Sequence, residues 1–185
     1  STPIAGKTIV VVGTGNLGGA MIRLLAPLDP KIIGVNRKGG AVDGCSKVIT
    51  VDKIDSILSE ADILYLAMPE TPETKNLISR KRLDLLKPSC GIVNIGRQST
   101  LDYEALCEKL RANKIAGAIL DVFTPEPIEL NSKLWEIPNL IITPHVSSDD
   151  GESYVRLTLE LFTKNLKLFI SNKPLINQVN KNLGY

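Results

Sequence analysis

The single histidine of this 185-residue chain, His145, follows an aliphatic run, "LIIT", through Pro144. An imidazole titrates near pH ~6.5, so at neutral pH it can exchange a proton with a carbonyl or alcohol oxygen. Glu126 lies in "TPEP", also after an aliphatic run, where two prolines restrict the loop. A carboxylate set against the imidazole would fix its orientation and favour its protonated form. Arg97 closes "GIVNIGR". Its planar guanidinium can grip a carboxylate through two parallel hydrogen bonds and polarise a neighbouring carbonyl. Each residue alone also reads as a surface charge or loop residue. Together they make an acid/base, its partner and an anchor for a small organic acid.

A second constellation is "VVVGTGNLGG", with Gly13, Gly15 and Gly18 behind a β-branched run and ahead of a helix-like stretch. Gly13 permits a sharp exit from a buried strand, Gly15 lets a pyrophosphate approach the main chain, and Gly18 lets the helix pack close to the sheet. The helix N-terminus then faces the anion. Asn36, Arg37 and Lys38 stand 18 to 20 residues past Gly18. A dinucleotide site selective for a free ribose 2′-hydroxyl carries an acid there. A cationic pair instead suits a 2′-phosphate, so NADP(H) is favoured with NAD possible; the alternative is a solvated basic loop.

These residues need a scaffold, and the pattern supplies one. Aliphatic, β-branched runs at 7–13, 31–36, 63–68, 91–96, 116–122 and 139–143 alternate with helical patterns at 16–28, 52–60, 79–86 and 103–113. "CSKVITV" adds a short edge strand or an extended link. Continuous apolar strands alternating with helices predict an α/β fold, a Rossmann-type doubly wound parallel sheet covered on both faces, with right-handed crossovers. Such a sheet binds ligands at the carboxyl ends of its strands. "NRKGG", "PETPET", Arg97, "FTPEP" and "PHVSSDD" all fall there. Residues 152–170 read as a long helix with a wide apolar stripe that packs on the sheet, and the tail beyond it as an arm. The expected division is a dinucleotide-binding domain at 1–150 and a C-terminal helix and arm at 151–185.

Composition narrows the function classes. Twenty-two basic and 20 acidic residues are dispersed along the chain, and aromatic residues make up only 4%, so nucleic acid is not an expected partner. The three cysteines, Cys45, Cys90 and Cys107, lack metal-ligand or redox spacing and read as reduced thiols. No run reaches the roughly 18 apolar residues of a membrane span. The expectation is a soluble cytoplasmic protein with no bound metal and no membrane partner.

Four stretches, "GKTIVVVGTGNLGGAM", "ADILYLAMPETPETKNLIS", "LDLLKPSCGIVNIGRQSTLDYEALCEKL" and "KIAGAILDVFTPEPIELNSKLWEIPNLIITPH", resemble successive signatures of the D-isomer-specific 2-hydroxyacid dehydrogenases. The resemblance implies hydride transfer between NAD(P)H and a small 2-keto or 2-hydroxy acid, with dimerisation largely through this domain. It implies that Arg97 binds the substrate carboxylate and keto group, that His145 is the acid/base and that Glu126 is its partner. Asn16 and Leu17 would lie over the pyrophosphate, Met68, Pro69 and Thr74 along the coenzyme, and Ile95, Gly96 and Asp121 near the nicotinamide. Two departures stand out: Gln98 follows Arg97 where the family usually has glycine, and the family's substrate-binding domain normally precedes the stretch at which this chain begins. The expectation is therefore the coenzyme-binding portion of such an enzyme, a homodimer. The alternative is a cofactor-sensing module of the same fold without turnover, which would need none of Arg97, Glu126 and His145.

Overall fold

In the computed structural model, which describes residues 3–181, every aliphatic run becomes a strand of one sheet. The strands are β1 (Thr8–Val12), β2 (Lys31–Asn36), β3 (Lys47–Thr50), β4 (Ile63–Leu66), β5 (Gly91–Asn94), β6 (Gly117–Leu120) and β7 (Leu140–Ile142). The order is β3-β2-β1-β4-β5-β6-β7, and every pairing is parallel. Residues of β1 alternate between the two faces: Val10 and Val12 enter one apolar cluster, Ile9 and Val11 the other. That period of two is why β1 reads as continuously apolar, since neither face meets water. "CSKVITV" supplies the edge strand, paired to β2 with Val35 opposite Ile49.

The helices are α1 (Asn16–Leu25), α2 (Arg80–Leu83), α3 (Tyr103–Arg111) and α4 (Tyr154–Ile170). Two of the expected helical stretches take another form. Residues 52–60 form two 3₁₀ segments, Val51–Ser56 and Leu58–Glu60, broken at Ile57, whose φ of −123° is not helical. Ile54, Ile57, Leu58 and Ala61 are nonetheless buried at helical spacing. The burial pattern is right, but three β-branched residues in so short a segment favour i→i+3 bonding over a full α-turn. The stretch at 79–86 holds only four α-helical residues, because Leu85 and Leu86 bond back three residues rather than four before Pro88. Asp102 caps α3 by accepting the Ala105 N–H at 2.9 Å, and Asn113, at φ 52°, ends it.

By its internal contacts the chain divides after His145 into two units. The second contains α4, on which Asn165 ties the following segment back: its amide nitrogen donates to the Ile176 carbonyl and its amide oxygen accepts the Ile176 N–H. No residue of α4 is buried, and Phe162 and Phe169 are 62% and 70% exposed. Helical periodicity identifies an apolar face but carries no information about what covers it. The last part of the expected arm, residues 182–185, lies outside the described residues.

Candidate functional site

The strand order reverses between β1 and β4, since the chain builds outward from β1 through β2 and β3, then returns to β4 on the other side. Loops that leave adjacent strands in opposite directions open a crevice at their carboxyl ends. The glycines of the second constellation line that crevice for two different reasons. A Cβ on Gly13, whose φ is +90°, would lie 2.9 Å from the backbone of Ala67 and Met68 after β4. A Cβ on Gly18 would clash with the Gly13 carbonyl. At Gly15 it would meet no atom within 4 Å. Two of the positions therefore permit close packing of protein on protein, and the third faces open space at the N-cap of α1.

No described side chain caps α1, and its first turn carries no acid. Asn16 and Leu17, its first two residues, are exposed. Unclaimed N–H groups, the positive end of the helix dipole and room above Gly15 fit a pyrophosphate. Gly96 closes the crevice from β5, its Cβ position 2.5 Å from the Met68 carbonyl oxygen, while Met68 itself is buried and Ile95 half-buried.

Beyond β2, the Asn36 side chain organises the basic turn. Its amide nitrogen donates to Thr14 Oγ1 at 3.0 Å and its amide oxygen accepts the N–H groups of Lys38 and Gly39 at 3.1 and 2.7 Å. The turn is thus anchored to the glycine loop, with Arg37 and Lys38 exposed. Arg37 also contributes, after backbone and Thr71 hydrogen bonds, to lowering the pKa of the Glu73 carboxyl in the loop after β4. In that loop the Thr74 hydroxyl donates to the Pro69 carbonyl at 2.7 Å and accepts the Thr71 N–H at 2.8 Å, which folds the loop on itself.

The acid/base candidates meet at the ends of β6 and β7. His145 Nδ1 lies 2.9 Å from Glu126 Oε2, and the other carboxylate oxygen accepts the Phe123 N–H at 2.6 Å. His145 reaches this position with a left-handed backbone, φ 58°, which costs a residue with a Cβ about 1–2 kcal/mol. Backbone strain of this kind concentrates at functional sites. The His145 hydrogen bond, then the Phe123 N–H and the nearby positive charges of His145 and Arg97, hold the Glu126 carboxyl below its ordinary range. Arg97 is exposed after β5, with its Nη1 donating to the Gly96 carbonyl at 2.7 Å. Asp121, buried at the end of β6, accepts from the Thr143 hydroxyl and so joins β6 to the residues leading into His145.

Some residues that organise this region carry no obvious signal in the sequence. Asn94, fully buried at the end of β5, holds the Gly96 N–H and the Arg97 carbonyl. Tyr103 reads as one more residue of an amphipathic helix. The detectable hint is a polar residue at the end of an apolar strand, which must find hydrogen-bond partners when buried.

Residues 1–147 match the profile of the family described as "D-isomer specific 2-hydroxyacid dehydrogenase, NAD binding domain". The chain belongs to this family. Its relatives in this dehydrogenase family include a glyoxylate reductase of Pyrococcus furiosus, 35% identical over 164 residues, which span 89% of this chain and 48% of that protein. Among solved structures, a D-isomer specific 2-hydroxyacid dehydrogenase of Xanthobacter autotrophicus in complex with NADPH superimposes with a TM-score of 0.91 at 30% identity. That match covers all of this chain and 75% of the other. An NADPH-dependent glyoxylate/hydroxypyruvate reductase of Sinorhizobium meliloti in complex with NADP gives a TM-score of 0.91 at 29% identity, covering all of this chain and 58% of the other. The chain spans about half the length of most curated dehydrogenase relatives it matches. No described helix is long and apolar enough to cross a membrane.

Proposed function

We propose that this chain is the coenzyme-holding part of an oxidoreductase that interconverts a small 2-keto acid and the corresponding D-2-hydroxy acid, with NADP(H) preferred over NAD(H). The observation that carries the proposal is the 2.9 Å contact between His145 and Glu126 at adjacent strand ends, within the field of Arg97 and on a sheet whose switch-point crevice fits a pyrophosphate. Gly13, Gly15, Asn16, Leu17 and Gly18 would hold the pyrophosphate, Arg37 and Lys38 the 2′-phosphate, and Ile95, Gly96 and Asp121 the nicotinamide end. Met68, Pro69 and Thr74 would line the path between. Bound there, the dinucleotide supplies or accepts the hydride.

The chain's own residues perform the rest. Arg97 binds the carboxylate of the 2-keto acid and orients its carbonyl. His145 donates a proton to the keto oxygen in reduction and removes it from the hydroxyl in oxidation. Glu126, kept ionised, fixes the imidazole through Nδ1, leaving Nε2 for the substrate oxygen. The NADP(H) preference is supported by the cationic turn and by the NADP(H) complexes of the two structural relatives.

Calorimetry of the 185-residue chain with NADPH and NADH tests the binding half, with tighter NADPH binding expected. Turnover of glyoxylate, hydroxypyruvate and pyruvate by a chain of the relatives' full length tests the chemistry. Absence of binding to either dinucleotide, or absence of turnover on every 2-keto acid tried, would sink the corresponding half.

A further inference from the structure

Arg97 and Glu126 stand on loops after different strands. The turn after β5 is held from within: the Arg97 carbonyl accepts from Asn94 Nδ2 at 3.2 Å and from Thr100 Oγ1 at 2.7 Å, while Asn94 Oδ1 accepts the Gly96 N–H at 3.0 Å. The loop after β6 is held to Glu126 by the Phe123 N–H. Beyond the last ladder bond, from the Asp121 N–H to the Asn94 carbonyl at 3.0 Å, one hydroxyl joins the two loops. Tyr103, the first residue of α3, donates to the Val122 carbonyl at 2.7 Å and accepts from Asn94 Nδ2 at 3.4 Å. A continuous path thus runs from the Arg97 turn through Asn94 and the Tyr103 hydroxyl to Val122, Phe123 and Glu126.

We propose that Tyr103 is a positioning residue whose hydroxyl keeps the Arg97 turn and the Glu126 loop in fixed register, so that the substrate anchor and the proton-transfer pair hold a constant separation. This rests on the roles proposed above for Arg97, Glu126 and His145. The ring is itself fixed: it is buried, stands edge-on to Phe123 with centroids 6.1 Å apart and planes at 85°, and begins a helix capped by Asp102. Burial raises the phenol's pKa, so the hydroxyl remains a donor at neutral pH. Any buried phenol must find a hydrogen-bond partner, and here the partners stand on two different loops. Without the hydroxyl the buried Val122 carbonyl loses a donor, and the bond from the Asp121 N–H to the Asn94 carbonyl remains at the strand ends, short of Arg97 and Glu126.

The test is Tyr103→Phe, which keeps the ring. In the 185-residue chain, carboxyl-carbon NMR follows the titration of Glu126 directly, with near-ultraviolet circular dichroism confirming the fold. The expected result is a Glu126 pKa that moves up toward the ordinary carboxylate value as its contacts with Phe123 and His145 loosen. Cys107→Ala, one turn along α3, loosens the same packing without touching the hydroxyl and should leave Glu126 where it was. In a chain of the relatives' full length, Tyr103→Phe should lower kcat about ten- to hundred-fold and raise KM for the keto acid, with NADPH affinity unchanged. A folded Tyr103→Phe protein whose Glu126 titrates as in the wild type overturns the proposal, as does an equal displacement in Cys107→Ala. If the wild-type enzyme turns over no 2-keto acid, the functional reading falls while the Glu126 titration still decides whether the hydroxyl holds the loop.

Discussion

The Cβ position of Gly18 falls against the Gly13 carbonyl oxygen, far inside any real contact, so the first turn of α1 rests directly on the backbone of the loop that precedes it. Gly15, between them, has open space instead. The two glycines should therefore fail in different ways. Gly18→Ala must displace backbone and is expected to destabilise the chain by about 1–3 kcal/mol in urea denaturation, in the range of a forced core overpacking. Gly15→Ala is expected to leave the midpoint nearly unchanged and to weaken NADPH binding at least about tenfold, equivalent to 1.4 kcal/mol. Undiminished NADPH affinity in Gly15→Ala would mean that the phosphates do not sit above that residue.

Arg37 is exposed on a turn that Asn36 anchors to Thr14, so its position is set while its charge stays available. A charge-assisted hydrogen bond contributes about 1.5–3 kcal/mol, which corresponds to a roughly ten- to hundred-fold preference for NADPH over NADH. Arg37→Asp is expected to abolish or reverse that ratio, with the two dissociation constants measured by calorimetry. Equal affinities in the unmutated chain would show the basic turn to be merely solvated.

His145 and Glu126 are 19 residues apart and meet through one hydrogen bond. His145→Ala in a chain of the relatives' full length is expected to reduce kcat by about 10²–10⁴-fold, the usual contribution of a positioned acid/base, and to leave NADPH affinity intact. Glu126→Gln should lower kcat less, because the imidazole remains but loses its charged partner. Wild-type turnover in His145→Ala would remove the residue from the mechanism.

Asp62 joins the start of β1 to the segment after α2: one oxygen accepts the Thr8 N–H at 2.8 Å and the other the Lys87 ammonium at 2.7 Å. Lys87 first, then Thr8, hold its carboxyl below the ordinary range. A folded pKa below the unfolded value of roughly 3.9 means stabilisation that is fully present above about pH 5 and is lost as acid protonates the folded carboxyl. Asp62→Asn should therefore cost about 1–3 kcal/mol at pH 7, measured by urea denaturation. The gap from wild type should shrink below pH 4. A gap independent of pH would assign the cost to geometry rather than charge.

The strands, the burial of β1 on both faces and the glycine turn are legible in the amino-acid sequence, whereas Ile119 of β6 and Ile141 of β7 depart from the expected cover, at 39% and 58% exposed. The legible features depend on local periodicity and on backbone freedom at single positions, both written in neighbouring residues. The sequence also places Arg97, Glu126 and His145 after strands, because apolar runs end where polar residues begin. Which strand ends are adjacent emerges only once the sheet is assembled. The order β1-β4-β5-β6-β7 brings Glu126 to His145, sets Gly13 against Ala67 and Gly96 against Met68, and lets a hydroxyl on α3 reach across from Asn94 to Val122. These contacts are fixed by how the strands assemble into one sheet, and no local pattern encodes a neighbour that arrives from a distant part of the chain. The 3₁₀ segments at Val51–Ser56 and Leu58–Glu60 are a local effect by contrast: β-branched Val51, Ile54 and Ile57 disfavour a full α-turn, which apolar periodicity alone does not register.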